Sequence, residues 1–154
     1  MLSDEERRVI VEAARGLPEA RGACVEALAI VQRGRGWVAD EIAEIATLLG
    51  MAVDELDAVA TAYSLVFRRP VGRHVIQICD CVACWILGHE TVLEHLVRRL
   101  GAGLGETTAD GEFTLLPAAC LGACDRAPAM LVDAELHGEL TPERIDAILA
   151  RYRA

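Results

Sequence analysis

Two short cysteine-rich stretches carry the residues of this sequence that could do chemistry. They read Cys79-Asp-Cys-Val-Ala-Cys84 and Cys120-Leu-Gly-Ala-Cys124, and together they hold five of the six cysteines. Cys79 and Cys84 are separated by four residues and Cys120 and Cys124 by three, with 35 residues between the two pairs. Four thiolates from two such loops would form a soft, negatively charged cage, which selects zinc or an iron–sulfur cluster over hard cations.

Two chemistries that need no cluster are compatible with parts of this pattern. Cys81 and Cys84 form a C-x-x-C dithiol after a predicted strand, as in thioredoxin-type redox proteins, but this leaves three cysteines without a role, namely Cys79, Cys120 and Cys124. Structural zinc accepts cysteine gaps of two to four residues, although such zinc usually stabilises domains too small to bury a core of their own. Neither alternative is excluded by the spacing.

A [2Fe–2S] cluster is the interpretation that the residues favour. Such a cluster takes four thiolates on loops, and nearby glycines let backbone N–H groups approach its sulfur atoms. Gly122 lies between Cys120 and Cys124, and Gly88 lies shortly after Cys84. None of the four histidines stands beside a cysteine in the loops, which disfavours histidine ligation. The expected role of the site is electron transfer.

Composition limits the class of protein. The 154 residues are 53% hydrophobic, so the chain can bury a core as one domain with a helical extension. No apolar run approaches the roughly eighteen residues of a membrane span, and the charged N-terminus lacks the apolar stretch of a secretory signal. A cytosolic location is therefore expected, where clustered cysteines more often bind metal than form disulfides. The net charge of −9 argues against a nucleic-acid surface.

The first part of the chain is predicted to be a small helical bundle. Ser3 followed by Glu6 forms a capping-box pattern at the start of the first helix, which Gly16 and Pro18 end. Three more helices are expected over residues 18–32, 39–49 and 54–63, the last with Asp54 as its N-cap. Cys24 falls on an apolar helical stripe and is expected to be a buried apolar side chain. The bundle is expected to be structural or to bind a partner.

The second part of the chain is predicted to be an α/β domain of thioredoxin-like type. Strands are expected over residues 74–79 and 112–117, each leading directly into a cysteine loop, and over 128–133 and 135–138. Helices are expected over residues 89–100 and 142–152. The glycines of residues 101–105 follow a helix, so they indicate a cap and not a dinucleotide loop. The expected domains are 1–66 and 67–154.

Three segments resemble a known family. They are the two cysteine stretches, the second continued to Pro128, and the segment over residues 105–115. They closely resemble the thioredoxin-like [2Fe–2S] ferredoxin subunits of bacterial NADH:quinone oxidoreductase, which is respiratory complex I. The resemblance extends through residues 140–144 and covers at least the C-terminal half of the chain, and an N-terminal helical part is usual in this family.

The resemblance implies a ligand set. Carried over residue by residue, the cluster ligands, which are both the cofactor-binding and the metal-binding residues, would be Cys79, Cys84, Cys120 and Cys124. The family pattern has no ligand at the position of Cys81. The implied cofactor is one [2Fe–2S] cluster, with FMN and NADH bound by a partner subunit.

The resemblance also implies a function. The chain would be an electron-transfer subunit that binds the flavin-carrying, NADH-oxidising subunit, with its cluster close to that flavin and off the main route to quinone. It would act in the peripheral arm of the complex, on the cytoplasmic face of the inner membrane, and would have no NADH or flavin site of its own. The alternatives are the equivalent subunit of an NAD-linked hydrogenase or formate dehydrogenase, and a free-standing thioredoxin-like ferredoxin.

Overall fold

The computed structural model of the protein describes residues 1–153. The chain divides into two compact units, Met1–Pro70 and the part from Val71 onward, whereas the sequence predicts a boundary between residues 66 and 67. Across the described residues, no helix combines the length and the apolar character that crossing a lipid bilayer requires.

The first unit is a bundle of four helices, as the sequence predicts. They are α1 (Asp4–Arg15), α2 (Cys24–Arg35), α3 (Ile42–Leu49) and α4 (Val53–Ala62). The predicted capping box starts α1: the Ser3 hydroxyl accepts from the Glu6 N–H at 3.2 Å, and the Glu6 carboxylate accepts from the Ser3 N–H at 2.6 Å. Two of the donors left free at the start of the helix are satisfied in this way.

Two helix starts differ from the sequence prediction. A 3₁₀ turn over Ala20–Ala23 precedes α2, so the α-helix begins six residues later than expected; Gly22 in that turn lowers the helical propensity. The N-cap of α4 is Ala52 and not Asp54. Glu55 reaches back to accept from the Ala52 N–H at 3.1 Å, which supplies the reciprocal half of a capping box without a capping hydroxyl.

The core of this unit is aliphatic. Its fully buried side chains come from all four helices, and the largest are Ile10, Leu28, Val31, Ile45 and Leu56. Cys24 is partly buried and packs against this core, in line with its expected apolar role.

The second unit is a mixed five-stranded sheet with three helices, which is the predicted α/β class. The strands are β1 (His74–Cys79), β2 (Glu106–Thr107), β3 (Phe113–Ala118), β4 (Met130–Val132) and β5 (Glu135–His137). The helices are α5 (Val82–Ile86), α6 (His89–Leu100) and α7 (Pro142–Tyr152). The short elements α5 and β2 are absent from the sequence prediction.

The sheet order places both cysteine loops at one edge. The strands run β2-β3-β1-β4-β5, with β1 parallel to β3 and all other neighbours antiparallel. Cys79, the last residue of β1, pairs with Ala118, the last residue of β3. Because parallel strands end at the same edge, the loops that follow β1 and β3 leave the sheet side by side.

The central strand β1 is packed into the core and so holds the position of the edge where the cysteine loops begin. Five of its six residues are buried, since α6 and α7 contribute to a core around it. Buried strands of this kind are nearly continuous in β-branched and aliphatic residues, which is why the sequence predicts β1 to the residue. The glycine after α6, Gly101, has φ +68° and caps that helix, as expected.

Candidate metal centre

The first cysteine loop is tied to the sheet on both sides. The Cys79 N–H donates to the Ala129 carbonyl at 3.0 Å, and the Asp80 N–H donates to the Ala118 carbonyl at 2.7 Å. Cys81 is the N-cap residue of α5, and Cys84 lies within that helix. Cys79 and Cys84 are only 2% and 1% exposed, so the ends of this loop form the buried wall of the site.

The second cysteine loop is open to solvent. Cys120 and Cys124 are both exposed, and Cys124 begins a 3₁₀ turn over Cys124–Arg126. Gly122 has φ +76°, a conformation that glycine adopts without strain, and its N–H donates to the Cys120 sulfur at 3.4 Å. The loop thus directs a backbone donor at a thiol, as expected for an iron–sulfur site.

The thiols of the two loops converge. The sulfur atoms of Cys79, Cys81 and Cys120 all lie within 4.8 Å of one another. The Cys124 sulfur is 3.9 Å from that of Cys120 and 4.0 Å from that of Cys81. The Cys84 thiol interacts with Cys79 and Cys81 in its own loop. All six cysteines are free thiols, and Cys24 belongs to the helical unit.

The spacing of the exposed pair suits a tetrahedral metal ion. Metal–thiolate bonds of about 2.3 Å place two sulfurs on one tetrahedral ion about 3.8 Å apart. The sulfur atoms of Cys120 and Cys124 are separated by 3.9 Å, so this pair is already arranged to share one ion. Soft thiolates from two loops fit an iron–sulfur cluster, and hard cations would instead require oxygen ligands.

Crowding and burial separate the pKa values of these thiols. Burial raises the pKa of Cys84 to about 12. Hydrogen bonding with Cys120 and then with Cys81 raises the pKa of Cys124 to about 11. The backbone N–H of Cys84 donates to Cys81 and lowers the pKa of that thiol to about 6. Several thiolates at such short distances repel one another, and a bound cation would relieve that repulsion.

A histidine supports the first loop, and sequence reasoning missed it. His89 is 3% exposed, and its Nδ1 lies 3.0 Å from the Cys79 carbonyl oxygen. Its ring packs against the tilted ring of Trp85 with centroids 4.8 Å apart, and the Trp85 Nε1–H donates to the Asp80 carboxylate. The only sequence signal for the contact between the two rings is the four-residue interval between Trp85 and His89. His89 is bonded to the backbone of a cysteine and not to its sulfur.

An exposed apolar surface adjoins the cysteines. It consists of Val82, Trp85, Ile86 and Leu87, on and just after α5, and is called the α5 surface below. Each of these side chains is between 53% and 78% exposed. Apolar side chains grouped in this way mark contact surfaces more often than isolated exposed ones do.

Curated relatives share more than half of the chain. One NADH-quinone oxidoreductase subunit from Pseudomonas aeruginosa is 52% identical over 90 residues, which is 58% of this chain and 54% of that protein. The correspondingly named subunit from Escherichia coli K12 is 50% identical over 91 residues, or 59% of this chain and 55% of that protein. The chain spans about half the length of the curated relatives that it matches.

A solved structure and a family profile extend the likeness over most of the chain. The crystal structure of an NAD⁺-reducing [NiFe]-hydrogenase in the air-oxidized state matches with a TM-score of 0.71 at 27% identity, covering 85% of this chain and 23% of the hydrogenase chain. The profile of the family described as thioredoxin-like [2Fe–2S] ferredoxin matches residues 10–153. The predicted fold class and cofactor are thereby confirmed, and the chain belongs to the thioredoxin-like [2Fe–2S] ferredoxin family.

Proposed function

We propose that the chain is the electron-carrying, thioredoxin-like ferredoxin subunit of an NADH:quinone oxidoreductase. It would hold one [2Fe–2S] cluster through Cys79, Cys84, Cys120 and Cys124. The observation that carries this proposal is the convergence of the two cysteine loops at one sheet edge, with the Cys120 and Cys124 sulfurs 3.9 Å apart. The family membership and the names of the curated relatives support it.

Each of the two cysteine loops would contribute two ligands to the cofactor. When bound, a [2Fe–2S] cluster accepts and releases one electron at a time. Cys79 and Cys84 bind on the buried side, where β1 and α5 fix their positions and water is excluded. Cys120 and Cys124 bind on the side that faces solvent, where a redox partner can approach. The Gly122 N–H donates to the Cys120 sulfur, which stabilises added negative charge.

The partner would be the flavin-carrying, NADH-oxidising subunit. Hydride transfer from NADH would take place there, and the glycine-rich residues 101–105 of this chain, which begin with the helix cap Gly101, would have a structural role. The α5 surface lies beside the cysteine loops, so a partner that covers it would also come close to the cluster. In this assembly the chain would lie in the peripheral arm, on the cytoplasmic side of the membrane.

A second assembly is favoured by one specific observation. The NAD⁺-reducing [NiFe]-hydrogenase structure matches 85% of this chain, including parts outside the 90 residues shared with the P. aeruginosa relative. The equivalent subunit of an NAD-linked hydrogenase is therefore the alternative. Purification of the intact complex that contains the chain separates the two, because one complex reduces quinone with NADH and the other reduces NAD⁺ with hydrogen.

The docking proposal is tested by co-elution of the full chain with that flavoprotein on size exclusion. Ile86→Glu places a charge in the α5 surface and should abolish co-elution while the visible spectrum of the cluster stays unchanged. Leu104→Glu is the matched control, because Leu104 is 44% exposed in the same unit but lies outside the α5 surface. Failure of the unmodified chain to co-elute would favour a free-standing ferredoxin, and equal binding of both variants would exclude the α5 surface.

A further inference from the structure

The first loop contains a thiol that the proposed ligand set does not use. Cys81 is partly exposed, and its sulfur lies between the two loops. It is within 4.8 Å of the sulfurs of Cys79 and Cys120 and 4.0 Å from that of Cys124. Three of the four proposed ligands therefore surround Cys81 at distances close to those of thiolates bound to one metal centre.

Cys84 has a different position. It is 1% exposed within α5, and its thiol interacts with Cys79 and Cys81, which belong to its own loop. Cys81, by contrast, reaches both members of the second loop. A four-thiolate set that spans both loops is therefore complete without Cys84.

We propose that Cys81 is a reserve ligand, which replaces Cys84 so that the cluster is held by Cys79, Cys81, Cys120 and Cys124. The proposal rests on the ligand set of the proposed function and deepens it. The exchange is a change of ligand and not a redox step: Cys81 loses its thiol proton to solvent and binds as a thiolate, and the released Cys84 thiolate takes up a proton. The number of metal–sulfur bonds and of electrons on the cluster is unchanged.

The test compares three variants of the full chain after iron–sulfur reconstitution. Cys84→Ala should keep about two iron and two sulfide per chain, with a shifted visible and EPR spectrum, because Cys81 replaces the missing ligand. Cys81→Ala/Cys84→Ala should keep less than about a tenth of that iron, since only three thiols remain in the two cysteine loops. Cys24→Ala/Cys84→Ala is the matched control and should behave like Cys84→Ala, because Cys24 lies in the helical unit.

Two results would overturn the proposal. Cys84→Ala and the Cys81→Ala/Cys84→Ala variant could lose the cluster equally, or both could keep it. Cys84→Val fills more of the buried space and repeats the comparison if the alanine variant misfolds by circular dichroism. Cys81→Ala alone tests the proposed function separately: it should keep the full cluster with the native spectrum, and its loss would show that the ligand set itself is wrong.

Discussion

The two cysteine loops leave the same sheet edge but differ in how firmly they are held. The first loop is bonded to residues 118 and 129, ends in α5 and buries Cys79 and Cys84. The second loop exposes both of its cysteines, and Gly122 shapes it in the left-handed region. In the proposed ligand set, the first loop would fix the position of the cluster, and the second loop would adjust to it and face the redox partner.

Serine substitution should produce the largest difference between the loops. Metal–oxygen bonds are about 0.2 Å shorter than metal–sulfur bonds, so a serine ligand requires the backbone to move inward. In a Cys81→Ala background, which removes the extra thiol, Cys79→Ser should lower the bound iron roughly tenfold because β1 cannot move, and Cys120→Ser should retain most of it. Iron and sulfide analysis after reconstitution measures both. Equal losses at the two positions would contradict the comparison.

Removing the side chain of His89, which supports the first loop, should have an effect of intermediate size. His89→Leu leaves the Cys79 carbonyl without its side-chain partner in a buried site, which should destabilise this end of β1 by about 1–3 kcal/mol. Hydrogen exchange at the amides of β1 reports that loss. His89→Asn is the control, because its amide nitrogen is as many bonds from Cβ as Nδ1 is and can donate to the same carbonyl. If the β1 amides of the two variants exchange hydrogen at the same rate, the role assigned to His89 is wrong.

A substitution at Gly122, in the second loop, should have the smallest effect, because the protein leaves space for a Cβ there. A Cβ on Gly122 would meet no protein atom within 4 Å outside its two chain neighbours, so Gly122→Ala should add the left-handed strain of about 1 kcal/mol. This should raise the rate of cluster loss to an iron chelator about fivefold. Gly16→Ala, at φ −79° and also without a neighbour, should leave that rate unchanged. An arrest of cluster assembly in Gly122→Ala would show that the loop is not adjustable.

The sequence predicts the elements whose signals are local. Strand β1 and helices α6 and α7 are predicted to the residue or nearly so, because buried β-branched runs, helical periodicity and the Thr141-Pro142 start are contained in short stretches. The same holds for the capping box of α1. The predicted start of α4 is wrong, because Glu55 completes a cap at Ala52 that has no polar side chain of its own.

The parts of the site that depend on tertiary contacts cannot be predicted from the sequence pattern. The two loops are predicted to meet because both follow strands, but the central place of Cys81 depends on how α5 turns, and α5 is too short to give a periodic signal. The contact between His89 and the Cys79 carbonyl joins residues ten apart, at the end of β1 and the start of α6. No spacing rule for metal ligands would select a histidine that supports a backbone and does not bind the metal.

Metal and sulfide analysis of the purified full chain, combined with EPR, tests the central claim most directly. A [2Fe–2S] cluster held by both loops predicts about two iron and two acid-labile sulfide per chain, visible absorption, and an EPR signal that appears on one-electron reduction. Cys81→Ala should give the same result. A colourless chain with one zinc ion and no sulfide would contradict the account.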